Sequence, residues 1–208
     1  MIGVWTNQNP IQAGLFTQAD QQVNAREIWG YFQPRGWKLE AVAGMLGNME
    51  LESYINPAQW QLGSSIENPN PSNQDGYGLV QWTPWQNYPN APFGSWSAGA
   101  NWRTDYLKEL DRIQWEMEYD SLYPNQGQWI AVSGWSYITF EQYAKTAVLT
   151  PQQAAMCFYA SYERGTSTAG RAAAAANWYN YLNQYGPLPP TGGRLPIWLL
   201  FKLKERWS

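Results

Sequence analysis

The sequence predicts a mainly α-helical domain with one short β segment, and three observations carry that reading. Apolar side chains recur at helical spacing in separate stretches, as with Leu39, Val42, Leu46 and Met49 at steps of 3, 4 and 3. Thr150-Pro151-Gln152-Gln153 joins a Thr N-cap to Pro at the first helical position and Gln at the third, a combined signal for a helix start. From Tyr77 to Thr83, Val80 and Trp82 alternate with Gln81 and Thr83, the period of a strand.

The elements follow in order along the chain. Residues 1–16 hold Pro10 and two glycines without a sustained period and read as an irregular arm. A first helix runs from Thr17 to Phe32, with Val23, Ile28 and Tyr31 among its apolar positions and Pro34-Arg35-Gly36 as the stop. The second, from Leu39 to Ser53, is amphipathic and ends where Asn56-Pro57 forbids continuation. Residues 54–75, rich in Asn, Pro, Ser and Gln, form a loop into the short strand at 77–83, and 84–100 are again loop. A helix over Trp102–Tyr119 carries Tyr106, Leu110, Ile113 and Met117, and a short one spans Thr139–Ala147. The helix starting at Thr150 continues to Arg164, and Ala169–Tyr185 forms the last helix of the domain. Residues 186–193 are a Pro/Gly linker, which makes 17–185 the folded domain and 194–208 a basic, aromatic tail.

Charge and composition narrow the chemistry. The 208 residues contain no histidine, which excludes Ser-His-Asp and Cys-His catalysis and His-containing zinc sites, and neither a metal nor a cofactor is expected. The single Cys157 cannot form an internal disulfide, and Met1 is followed by no basic or long apolar stretch, so synthesis in a reducing cytoplasm without a signal peptide is expected. The net charge of −3 is uneven: Arg194, Lys202, Lys204 and Arg206 make the tail basic and leave the body acidic. An acidic body would repel a polyanion, so nucleic acid is not an expected partner. The tail's apolar run Ile197–Phe201 is far short of the roughly 20 residues of a membrane span. It reads as a docking peptide for a partner protein or the stub of a further domain, with a membrane-interface helix as the other reading.

The stretch Gly44-Met45-Leu46-Gly47-Asn48-Met49-Glu50-Leu51-Glu52-Ser53 ends a helix in carboxylates. On a helical wheel Glu52 projects within about 20° of Met45, at the edge of the apolar stripe. Burial there, at the negative end of the helix, favours a protonated carboxyl, as a general acid requires. The wheel does not choose between Glu52 and Glu50, and two solvated carboxylates at a helix end fit the periodicity equally well.

The order Glu-Ser, Asn-Pro, Gly-x-Gly-Leu-x-Gln resembles the shared pattern of goose-type lysozymes and soluble lytic transglycosylases. The fuller string, GMLGNMELES through INPAQWQ to GYGLVQWTP with ASYERG near the end, resembles the phage tail lysozyme family over roughly residues 17–185. The resemblance implies an α+β lysozyme-like fold with a short β segment flanking the cleft. It also implies cleavage of the β-1,4 bond between N-acetylmuramic acid and N-acetylglucosamine in bacterial peptidoglycan, with Glu52 as the catalytic acid. A tail-knob relative has a second, zinc-dependent peptidase domain, for which this chain has neither the length nor the histidines. Since bacterial walls are polyanionic, the acidic body implies positioning on a virion, through phage tail proteins bound by the tail at 194–208. A lytic transglycosylase giving 1,6-anhydro ends is the neighbouring enzymatic reading. A glycan-binding or structural tail component is the non-catalytic one.

The remaining site residues are expectations of unequal footing. Retaining glycosidases place two carboxyl groups about 5–5.5 Å apart and inverting ones about 6.5–9.5 Å. Between Glu52 and Gln81 the acids are Glu67 and Asp75, of which Asp75 abuts Gly76 and is the candidate second group. The alternative is that neither acts, and that Gln81 and Thr83 hold a water or the substrate's own groups serve. On the presumed strand Gln81 and Thr83 share a face for acetamido groups. Tyr162 resembles the tyrosine that closes the cleft in related transglycosylases, whereas its helix alone would make it core. Trp60, Trp82 and Trp85 are the candidates for stacking on sugar rings, and Glu163 with Arg164 reads as a local ion pair.

Overall fold

A computed structural model describes residues 17–57, 59, 76–83, 102–123, 127–164 and 170–188. The expected arm, the loops holding Trp60, Glu67, Asp75 and Trp85, and the tail at 194–208 lie outside the described residues. The described chain is mostly helical, and among the described residues no helix is long and apolar enough to cross a membrane.

Helix α1, Gln18–Phe32, starts as expected at Thr17, whose hydroxyl accepts from the Asp20 amide at 3.3 Å while the Asp20 carboxylate accepts from the Thr17 amide at 2.7 Å. A 3-10 turn over Gln33–Arg35 ends it, closed by Gly36 at φ 85°.

Helix α2, Leu39–Ser53, is central rather than amphipathic, with every residue from Ala41 to Met49 buried. Its second packed face is made of small residues. A Cβ on Gly44 would lie 2.6 Å from the Ala154 carbonyl carbon, and one on Gly47 2.6 Å from the Arg171 carbonyl oxygen. The two glycines therefore bring α2 into backbone contact with α4, Pro151–Phe158, and α5, Arg171–Tyr185. Asn48 satisfies the polar groups inside this contact, its Nδ2 donating to the Gly44 and Ala155 carbonyls at 2.9 and 3.0 Å.

Helix α3, Trp102–Leu122, buries the expected Tyr106, Leu110, Ile113 and Met117, and with them Glu109, Glu116 and Asp120. Two of these acids hold loop backbone: Glu109 accepts from the Leu79 amide at 2.8 Å and Asp120 from the Phe140 amide at 3.0 Å. The short helix expected near 139–147 is a π-helical turn, Gln142–Thr146. Its Phe140 flank stacks on Trp129 at 4.7 Å in a buried aromatic cluster with Tyr143 and Phe158.

The expected strand at 77–83 is instead a tight turn closed by one antiparallel bridge, Tyr77 to Trp82. Its backbone groups bond to other partners than a neighbouring strand. The Leu79 amide goes to Glu109, the Leu79 carbonyl accepts from the Ser53 hydroxyl at 2.8 Å, and the Gly78 amide donates to the Gln59 carbonyl at 2.9 Å. Positive φ at Gly78 and Gln81 completes the turn, so the alternation in the sequence does not sort these side chains onto two faces.

Helix α4 has the expected cap: the Thr150 hydroxyl accepts from the Gln153 amide at 3.2 Å and the Gln153 side chain accepts from the Thr150 amide at 2.9 Å. The helix expected to reach Arg164 changes to a π-helical turn over Tyr159–Glu163, and Arg164 ends it in the left-handed region at φ 55°.

Candidate active site

The Glu-Ser end of α2 divides its work between neighbouring residues. Ser53 donates to the Leu79 carbonyl and accounts for the turn's position against the helix end. Glu50 turns the other way, its carboxylate accepting from the Trp178 indole at 2.6 Å beside a groove lined by Gln18, Gln21 and Tyr181. Glu52 takes the Arg171 guanidinium, Nη2 to Oε1 at 2.5 Å, and keeps 26% of its side chain exposed. The apolar surroundings expected for Glu52 are thus replaced by a cation. Arg171 is itself fixed, its Nη1 donating to the Asn48 Oδ1 at 3.2 Å and its guanidinium lying 4.3 Å over the Tyr159 ring.

The turn borders a cleft of about 220 Å³. Val80, Gln81, Trp82 and Thr83 form one wall, Tyr162, Glu163 and Arg164 another, with Arg112 and Gln128 completing it. Glu52 is not among the residues that line the cleft, whereas Tyr162, distant in sequence, is brought together there with the consecutive Gln81, Trp82 and Thr83. Their orientations differ from those a strand would give. The Gln81 amide nitrogen folds back to the Gly78 and Gln59 carbonyls at 3.0 and 2.9 Å, and Thr83 donates to the Gln81 carbonyl at 3.0 Å. Trp82 lines the cleft and is only 7% exposed.

Beneath the cleft the Tyr162 hydroxyl donates to the buried Glu116 carboxylate, which also accepts from Arg112 Nε at 2.6 Å. Burial pushes Glu116 above the usual carboxylate range, with Arg112 and Tyr162 pulling the other way. Burial, followed by the charge of Glu116, raises the Tyr162 phenol well above its ordinary value. Glu163 does not make the expected ion pair with Arg164. Its Oε1 is sealed from solvent without a hydrogen-bond partner, and burial, then the Glu52 charge, hold the carboxyl well above the usual range.

Sequence reasoning missed Arg171 and the carboxylates of α3. Arg171 is the lone charge heading an alanine run. Glu109, Glu116 and Asp120 recur with Ile113 at steps of three and four, a second stripe beside the apolar one.

Against this geometry, the model of the phage tail lysozyme family matches residues 23–182, which takes in α2, the turn, the cleft and most of α5. The chain belongs to the phage tail lysozyme family. Among the chain's curated relatives is Morphogenesis protein 1 of Bacillus phage B103, 36% identical over 170 residues, which are 80% of this chain and 41% of that protein. The chain thus matches about two-fifths of the relative's length.

Proposed function

We propose that this lysozyme-family chain is a peptidoglycan glycosidase that cleaves the N-acetylmuramic acid to N-acetylglucosamine β-1,4 bond, with Glu52 as catalytic acid. The observation that supports this is the convergence of Gln81, Trp82, Thr83 and Tyr162 on one cleft, whose turn Ser53 ties to the helix end bearing Glu52. In the reaction a protonated carboxyl gives its proton to the glycosidic oxygen as the bond to C1 breaks, and a water completes the hydrolysis. Gln81, with its amide fixed in the turn, shapes the wall against which Thr83 and Tyr162 meet the sugars. Asp75, directly before Gly76, is the sequence's candidate for a second group. The same reading puts the protein on a phage tail, acting on the host wall and attached through residues 194–208.

Mass spectrometry of fragments released from purified peptidoglycan tests this. Wild type should release reducing N-acetylmuramic acid ends, and Glu52→Gln, with an unchanged circular dichroism spectrum, should lose them by at least ~100-fold. Anhydro ends would make the enzyme a transglycosylase. Full cleavage by Glu52→Gln would remove Glu52 as the acid, and no fragments from wild type would leave a binding or structural role.

A further inference from the structure

A second recess, distinct from the cleft, has no task in the glycosidase reading. It is a groove of about 330 Å³ bordered by α1, the end of α2 and α5, within the roughly 300–1,000 Å³ that small-ligand sites occupy. Glu50 lines it, two residues before Glu52 and so about 200° round the same helix, which puts the groove on another side of the helix end. Trp178 lines it too, its indole donating to Glu50 at 2.6 Å, and Tyr181 stands edge-on to that indole with ring centroids 5.9 Å apart. Tyr185, 52% exposed, packs on Tyr181 at 4.7 Å, so this aromatic row on α5 runs from the core out to solvent.

The other groups of the lining are carboxamides. Gln21 and Gln22 come from α1 and Asn177 from α5, and none of these three side chains has a hydrogen-bond partner among the described residues. Each carboxamide offers a donor and an acceptor side by side, which adjacent hydroxyls or an acetamido group satisfy. Glu50 is the only formal charge among the described lining residues, and with no cation beside it the groove disfavours phosphates and other anions. Trp178 is only 6% exposed, so the apolar surface on offer is a tyrosine ring rather than a pocket for an aliphatic side chain. A concave recess of carboxamides, one carboxylate acceptor and one aromatic ring suits a neutral, hydroxyl-rich chain whose pyranose C–H face lies on the ring.

We propose that this groove is a second saccharide site, which takes a β-1,4-linked N-acetylhexosamine chain apart from the cleft where the bond is cut. The choice of glycan rests on the glycosidase reading, whereas the saccharide class rests on the lining itself. Gln21, Gln22 and Asn177 bond the hydroxyl and acetamido groups, and Tyr181 carries a ring face. Glu50 accepts from a further hydroxyl with the lone pairs that the Trp178 indole leaves unused. Held there, the protein stays on a glycan strand while the cleft exchanges one segment for the next.

The test is nitrogen-15 NMR of the full chain, carrying Glu52→Gln so that the sugar is not consumed, titrated with chitotetraose, a chain of β-1,4-linked N-acetylglucosamines. The side-chain amide signals of Gln21, Gln22 and Asn177 and the Trp178 indole signal should shift together, with a midpoint below about 10 mM. Adding Tyr181→Ala, with an unchanged circular dichroism spectrum, should raise that midpoint at least ~5-fold. If Tyr181→Ala does not fold, exposed Asn177→Ala decides by the same comparison. Groove signals that stay still, whether or not the cleft amides of Gln81 and Gln128 move, overturn the proposal, as does a midpoint that the folded variant leaves unchanged. The titration involves no cleavage. A groove that fails it leaves the glycosidase reading standing, and a wild type that releases no fragments from peptidoglycan sinks that reading without touching the groove titration.

Discussion

Arg171 shows how one residue can set the character of a site. It is nearly enclosed, and its two terminal nitrogens bond Asn48 and Glu52 while its face covers Tyr159. Arg171→Met keeps the apolar bulk but leaves the buried Asn48 oxygen and the Glu52 carboxylate unpartnered. Hydrogen bonds to charged groups contribute about 1.5–3 kcal/mol, and the partial exposure of Glu52 argues for the lower end. Urea unfolding should therefore report a loss of about 2 kcal/mol, and an unchanged midpoint would contradict the described contacts. Cys157 gives a second outcome at this scale. Burial pushes its thiol up to about 12, against a weaker pull from a hydrogen bond with Ser161. The native protein should hence resist a thiol reagent at neutral pH and react fully only once unfolded; rapid labelling of the native state would contradict the burial. Of these residues, Glu52 was legible in the sequence through its motif. Arg171 was not, since the Asn48 and Glu52 that it bonds lie more than a hundred positions away.

At the scale of elements, α2 owes its place to what Gly44 and Gly47 lack. Ala at either position would raise helix propensity by about 1 kcal/mol, yet its Cβ would meet backbone of α4 or α5 at 2.6 Å. Overpacking of that kind costs about 1–3 kcal/mol, and rigid backbone puts the cost at the upper end. Gly44→Ala and Gly47→Ala should thus lose up to ~2 kcal/mol in denaturant melts. Gly134→Ala, where an added Cβ meets nothing within 4 Å, should be close to neutral. Equal stability of all three variants would contradict the close helix contacts. Helix starts were readable because their caps are local: Thr17 with Asp20 and Thr150 with Gln153 lie three residues apart. The segment at 77–83 was misread because its backbone partners, Ser53, Gln59 and Glu109, come from distant segments, and alternation alone carries no sign of them. The π-helical ending of α4 is likewise a matter of tertiary packing.

For the whole molecule, the buried carboxyls fix the sign of its pH dependence. Glu116 and Glu163 both have folded-state values raised above 4.5. Between the unfolded and folded values the folded state binds more protons, so this stability is complete below about pH 4.5 and is lost as pH rises through the folded values. Partly exposed Glu141 is shifted the other way, chiefly by hydrogen bonds with Ser121 and Lys145, and loses its contribution as pH falls below about 4.5. Melting temperature should consequently decline as pH rises above about 5, and Glu163→Gln should flatten the decline. A melting temperature that climbs over that window would contradict the buried, neutral carboxyls. The mainly helical class and the starts of α1 and α4 could be read from periodicity and caps, whereas the shape of the cleft could not, because it forms only where α3, the 77–82 turn and the end of the π-helical turn meet. A crystal structure of Glu52→Gln with a peptidoglycan tetrasaccharide tests most directly whether Glu52 is the acid of this cleft. Sugars are expected to lie between Thr83 and Tyr162, with the scissile oxygen about 3 Å from the residue 52 side chain. A glycan seated instead in the groove of Gln21, Glu50 and Trp178, with the cleft unoccupied, would contradict it.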